Sequence, residues 1–247
     1  MLNPPNYRRK AEKPPMSGTI YTKQNNKPVR RVITPSKQTV RTSYPSTKAK
    51  RSNDCESGME SKVAACLELS PGVESWAPQP VTLRLLVDGE TKKYTPDFKV
   101  DLKSGRTKIL EVKPLRKCLD EIVKAKLLAA HYYFRSVGIS FEIITDEDLG
   151  SKIFHQNLNL LRYYKRVFVD QRIRKFVQKI VTTNDSVSIS DLEKLGLGKE
   201  IIYSLLACGE FTTDLNIAIN PLSTLTVSQE NENENCLFKS RSVFDLE

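Results

Sequence analysis

Apolar positions Val63, Ala64 and Leu67 share one helical stripe, and Ser70-Pro71-Gly72 follows them, so the chain predicts a first helix ending at Leu69 with Asp54 or Ser57 as its N-cap. A short link containing Trp76 and Gln79-Pro80 leads to an apolar strand, VTLRLLV, stopped by the hairpin signal Asp88-Gly89. Two more strands follow within residues 93–113. A helix is expected over 116–136, with Ile122, Ala125, Ala129 and Tyr133 inside and Arg116, Lys117, Lys124 and Lys126 on the polar face. Gly138 then introduces a last strand, SFEIIT, before Asp146. The order helix, three strands, helix, strand describes an α/β core with a mixed central sheet flanked by helices.

Beyond Asp146 the pattern becomes helical. Residues 154–181 read as helix, and SISDLEKLGLGKEIIYSLLACGEFTTDLN reads as helix, tight glycine turn, helix and one or two short strands ending near Leu225. That is the plan of a small helix-turn-helix or winged-helix-like module. The interleaved Tyr163, Tyr164, Lys165 and Arg166 suit either nucleic-acid contact or core packing, and the 199–208 helix, with few cations, suits protein docking as well as groove reading. No internal repeat is present. Four segments result: an arm over 1–53, a core over 54–150, a C-terminal module over 151–227 and a polar tail over 228–247 that ends in a candidate docking peptide, KSRSVFDLE.

Charge separates the arm from the rest. Residues 1–53 hold thirteen Lys or Arg and one acid, a net of +12, so the +10 of the whole 247-residue chain leaves −2 for everything after Asn53. Seven of the thirteen prolines also fall in this arm, which cannot bury enough apolar surface to offset its ordering entropy and is expected to be disordered alone. It reads as a basic arm for nucleic-acid phosphates, or as a solubilising or docking tail. Its candidate DNA-binding residues are Arg8, Arg9, Lys10, Arg30, Arg31, Arg41, Lys48, Lys50 and Arg51, joined by Lys126 from the helical face. Five scattered cysteines with no C-x-x-C argue against a disulfide framework or structural zinc and fit a reducing cytoplasm. Two histidines leave little for His-based metal or nucleophilic chemistry. No apolar run reaches membrane-spanning length, and the N-terminus has no signal-peptide core.

The chemistry concentrates in YTPDFKVDLKSGRTKILEVKP, residues 94–114. A hairpin turning about Ser104 and Gly105 pairs residues whose numbers sum to about 209, which sets Asp97 opposite Val112, beside Glu111 and Lys113. Two carboxylates and a lysine at one sheet edge suit Mg²⁺, with Mn²⁺ as a substitute, held against a phosphodiester. Glu60 falls on the apolar stripe of the first helix and is either a further ligand or an ordinary first-turn glutamate, with Glu56 as an alternative neighbour.

With Glu60, Pro96-Asp97 and Glu111-Val112-Lys113 assembled, the sequence resembles the restriction-endonuclease-like superfamily, whose signature is P-D-(x)n-(D/E)-x-K. More narrowly it resembles the TnsA-like endonuclease subunits of heteromeric cut-and-paste transposases, through SGMESKVAACLEL, the link into QP, YTPDFKV, ILEVKP, FEIITDEDL and the small C-terminal helical module, over about residues 55–225. The resemblance implies a bacterial, Mg²⁺-dependent DNA endonuclease, using neither zinc nor a nucleotide, that cuts the 5′ ends of a transposon. A TnsB-like transposase would cut and join the 3′ ends under a TnsC-like AAA+ ATPase, with an RNA-guided or DNA-binding target selector as a further partner. Residue by residue, Glu60 would be the helix-borne metal ligand, and Asp97 would bridge metal and scissile phosphate. Glu111 and the Val112 carbonyl would complete the coordination, and Lys113 would place the attacking water. The C-terminal module would help to dock the ATPase. Two rivals stay open: a stand-alone repair, resolvase or restriction nuclease, and a non-catalytic DNA-binding module.

Overall fold

A computed structural model of the chain describes residues 42–49, 52–184, 186–227, 234 and 236–246. A four-stranded mixed sheet organises the core. Strand β3 (Val73–Pro78) lies antiparallel to β6 (Phe98–Leu102), β6 lies antiparallel to β7 (Thr107–Val112), and β7 runs parallel to β8 (Ser140–Ile144). Strand side chains alternate faces. Phe98, Val100, Leu102 and Leu110 pack with helix α1 (Gly58–Leu69) in one core cluster, whereas Ile109, Phe141 and Ile143 pack on the other face with α3 (Glu121–Ser136). The hairpin β4 (Leu83–Val87)–β5 (Glu90–Tyr94) stands apart as a two-stranded sheet and joins the second cluster; its turn residues Asp88 and Gly89 have φ of 50° and 79°, as an Asp-Gly hairpin requires.

Several expectations are corrected. The Trp76 link is strand β3, whose half-buried, irregularly patterned side chains conceal the period of two. The helix expected over 116–136 breaks into α2 (Leu115–Cys118) and α3, because Asp120 turns its carboxylate back to cap the amides of Ile122 and Val123. Ile122, placed inside by its spacing, is 64% exposed, and Leu127, Ala130 and Phe134 line the inner face with Ala129 and Tyr133. The stretch 154–181 is likewise two helices, α4 (Lys152–Tyr164) and α5 (Gln171–Thr183), divided where Asp170 caps Arg172. The last part of the arm also has regular structure, since β1 (Thr42–Pro45) pairs with β2 (Ser52–Cys55).

The C-terminal module continues with β9 (Val187–Ser188), α6 (Ile189–Lys194), α7 (Lys199–Ala207), β10 (Phe211–Thr212) and β11 (Thr224–Val227), its three strands ordered β10-β11-β9. Its apolar side chains, Leu158, Leu161, Ile202 and Phe211 among them, join the same cluster as α1. The end of the tail folds back on the core. Arg241 bridges antiparallel to Ile143 of β8 and its guanidinium clasps Asp148 at 3.0 and 2.5 Å, while Val243 and Leu246 are buried beside α3. The segment read as a candidate docking peptide thus packs against its own core. Among the described residues no helix is long and apolar enough to cross a membrane.

One buried acid joins three parts of the chain. Glu68, near the end of α1, accepts hydrogen bonds from Ser46, from the Thr47 amide (3.0 Å) and hydroxyl (2.5 Å), from Trp76 (3.3 Å) and from Lys165 of the C-terminal module (2.9 Å). Burial pushes its pKa up, but Lys165 and the Ser46 and Thr47 donors prevail and hold it at about 2. Truncating such a group strands the partner cation, so Glu68→Ala should cost about 3–5 kcal/mol in urea unfolding at pH 7. Because the folded pKa is depressed, this contribution is present above the ordinary carboxylate range near pH 4 and is lost as pH falls towards about 2. Unfolding curves of the two proteins should converge over that window; a gap that persists unchanged at pH 2 contradicts the assignment.

Candidate active site

The turn of the motif hairpin sets the geometry of the site. Gly105, at φ 83°, donates its amide to the Leu102 carbonyl, and the Leu102 amide donates to Arg106, enclosing the three-residue loop Lys103-Ser104-Gly105. A three-residue loop with a left-handed third residue shifts the pairing by one from that of a two-residue turn. Phe98 pairs with Leu110 and Lys99 with Ile109, a sum of 208 rather than the expected 209. Just before this paired stretch Asp97 donates its amide to the Leu110 carbonyl (3.2 Å), and its carboxylate lies at the end of the sheet close enough to Glu111 to feel its charge.

Neighbouring like charges repel, and each acid is held by its own donors. The Val112 amide donates to Asp97 Oδ2 at 2.7 Å. Glu111, 4% exposed, accepts from the Tyr94 hydroxyl at Oε2 (2.6 Å) and pairs through Oε1 with Lys113 Nζ (2.7 Å). Burial first, then the charges of Glu111 and Glu60, raise the Asp97 pKa well above the usual carboxylate range. Burial pulls Lys113 down, but Glu111 and Asp97 outweigh it and keep its ammonium charged. Tyr94 is pushed well above its ordinary value by burial and by Glu111, so it stays a donor.

Glu60 reaches this group only electrostatically. It stands third in the first turn of α1, where Ser57 Oγ caps its amide at 3.1 Å, and its carboxylate turns back to the Glu56 amide (2.8 Å) and the Ser57 hydroxyl (2.9 Å). Burial, set against these hydrogen bonds and joined by the charges of Glu56 and Glu111, raises its pKa. Ser57 rather than Asp54 is therefore the cap, and the first-turn reading and the acid-cluster reading both describe Glu60 in part. Among the described residues no three His, Cys, Asp or Glu side chains stand in ligating positions as they are. The donor set nevertheless suits a hard divalent cation: two neighbouring carboxylates, one of them driven towards protonation by burial and then by its acid neighbours, lack a positive charge that Lys113 alone does not supply.

Of the other candidate residues, Val112 is buried with its amide spent on Asp97, and Lys126 is half-buried on α3. Lys48 turns inward to the Leu67 (3.4 Å) and Ser70 carbonyls at the end of α1, and burial with the charge of Lys165 lowers its pKa to about 7. Arg8, Arg9, Lys10, Arg30, Arg31, Arg41, Lys50 and Arg51 lie outside the described residues, as does most of the arm read as disordered. Tyr163 and Arg166 are exposed, Tyr164 packs edge-on against Tyr203 at 5.2 Å, and Lys165 is spent on Glu68. Sequence reasoning assigned no role to Tyr94, although it opens the motif stretch; only the separate β4–β5 hairpin brings its hydroxyl to Glu111.

Residues 70–146 match the family TnsA-like endonuclease N terminal. The resemblance to TnsA-like endonucleases thus holds for the segment that carries Asp97, Glu111 and Lys113, while Glu60 and the C-terminal module lie outside it. No curated protein matches the chain.

The raised Asp97 pKa gives a test by stability. A group with a raised folded pKa contributes stability that is fully present at low pH and lost as pH rises through that pKa. Removing the charge with Asp97→Asn, which keeps an acceptor for the Val112 amide, should raise the Tm of the cation-free protein at pH 7.5 by a few degrees and by nothing at pH 3.5. Thermal melts in a chelating buffer check this; a lower Tm at pH 7.5 contradicts it.

Proposed function

We propose that the chain is the TnsA-like DNA endonuclease subunit of a cut-and-paste transposase, dependent on Mg²⁺, cutting the 5′ ends of the transposon. The observation that carries this reading is the Asp97 carboxylate resting on the Val112 amide beside Glu111, with charged Lys113 2.7 Å from Glu111, inside the segment similar to TnsA-like endonucleases. Asp97 and Glu111, with the Val112 carbonyl, would hold the cation, and Glu60 would join them by leaving its cap. The cation would supply charge neutralisation at phosphorus and acidify water.

The chain's own residues do the rest. Tyr94 and Lys113 fix both oxygens of Glu111, and the Val112 amide fixes Asp97, so neither acid reorganises as charge develops. Lys113, protonated at neutral pH, does not act as a base; it orients the attacking water and offsets charge on the phosphate oxygens. The arm lies along DNA, and the C-terminal module, read as winged-helix-like, docks the TnsC-like ATPase beside a TnsB-like transposase that cuts the opposite strand.

Asp97→Ala or Lys113→Ala should lower strand cutting at least about 10²–10³-fold, while DNA binding and partner docking persist. A strand-resolved cleavage assay on transposon-end DNA with the transposase and ATPase partners measures this, and full cleavage by either variant refutes the site. Efficient cutting of plain DNA without partners favours a stand-alone nuclease instead.

A further inference from the structure

The acid group does not end at Asp97. Strand β3 pairs with β6 so that Pro78 faces Phe98, and the next residue, Gln79, donates its amide to the Asp97 carbonyl at 2.8 Å. Gln79 thus meets Asp97 through the backbone just beyond the paired ends of β3 and β6, next to the strand that carries Glu111. Gln79 is 9% exposed. Its side-chain Nε2 donates to Glu56 Oε1 at 2.8 Å, which fixes the sense of the amide, since a carboxylate only accepts. Its carbonyl Oε1 is buried without a hydrogen-bond partner. Unpaired buried polar atoms are rare and cost free energy wherever they have no use.

The backbone gives a second, independent sign. Gln79 has φ 43°, a left-handed conformation that only Asp88 shares among the described non-glycine residues. Asp88 sits in a tight Asp-Gly turn that calls for it; Gln79 sits where a strand ends beside two acids. Strain of this kind persists where surrounding contacts impose it, and it gathers at functional sites. Glycine would serve the backbone better there and would contribute no oxygen.

We infer that Gln79 is a further residue of the active site, presenting its amide oxygen, oriented by Glu56, to the divalent cation or to water in the cation's shell. The inference rests on the cation-dependent reading of Asp97 and Glu111. Gln79 adds a neutral oxygen donor to a group already crowded with negative charge, where another carboxylate would add repulsion. Glu56 acts on it as a positioning residue.

Calorimetric titration of Mn²⁺ into the purified full chain without DNA separates the possibilities, using wild type, Asp97→Ala, Gln79→Gly and Gln79→Glu, each checked for fold by far-UV circular dichroism. Wild type should bind, Asp97→Ala should bind least, and Gln79→Gly, whose backbone is free of strain, should lose about tenfold or more in affinity. Gln79→Glu restores an oxygen but removes the donor to Glu56, and it should recover most of that loss. Wild-type affinity in Gln79→Gly, with binding lost in Asp97→Ala, overturns the role of Gln79 and leaves the cation site standing. Equal weakness of the Gly and Glu variants shows that only the hydrogen bond to Glu56 matters, and it also overturns the inference. No binding by wild type removes the cation reading, and this one with it.

Discussion

Two carboxylates brought together at the end of a sheet repel, and the arrangement persists here because each is answered by a fixed donor. Glu111 lies between Tyr94 and Lys113, and Asp97 rests on the Val112 amide. All of these donors depend on one register. Because side chains alternate with a period of two, a slip of a single residue would turn Glu111 away from Asp97 and bury Lys113. The three-residue loop closed by Gly105 fixes that register at a distance from the acids, while the apolar row Phe98, Val100, Leu102 and Leu110 locks it from the opposite face.

That dependence explains which parts were legible in the sequence. Asp97, Glu111 and Lys113 stand out because charged residues interrupt apolar strands, and a hairpin brings the segments that carry them together. The register itself differs by one residue, because the text KSGR does not distinguish a two-residue from a three-residue loop; the positive φ of Gly105 decides it. Strand β3 is hidden because Glu74 and Ser75 disturb its alternation at an irregularity in the pairing with β6. Helix breaks at Asp120 and Asp170 were readable in principle, since both are N-cap residues, but the apolar spacing runs through them without interruption. Tyr94 and Gln79 could not be placed from local pattern at all: each reaches the acids through a tertiary pairing, one from the β4–β5 hairpin and one from the end of β3.

Helix α1 ties the acid group to the rest of the molecule. Its first turn carries Glu60 and its Ser57 cap, and its last turn carries Glu68 and the carbonyls that receive Lys48 and Lys165. Twelve residues at about 1.5 Å each span about 18 Å, so the site and the Glu68 node sit at opposite ends of one rigid rod. Cations at a helix C-terminus also suit the helix dipole. The C-terminal module, held by Lys165 and by a core shared with α1, and the segment 46–49 are thereby fixed with respect to the acids.

The observed cap of Glu60 and its proposed role as a ligand are compatible on energetic grounds. Releasing its carboxylate forfeits two hydrogen bonds, at about 0.5–1.5 kcal/mol each, while Ser57 still caps the Glu60 amide and the helix start survives. A cation present at about a thousandfold its dissociation constant contributes about 4 kcal/mol, which exceeds that cost. In the structure the cap answers the charge of an acid that would otherwise add its full repulsion to Asp97 and Glu111. It keeps the third carboxylate near the pair while its charge is answered by the Glu56 amide and the Ser57 hydroxyl.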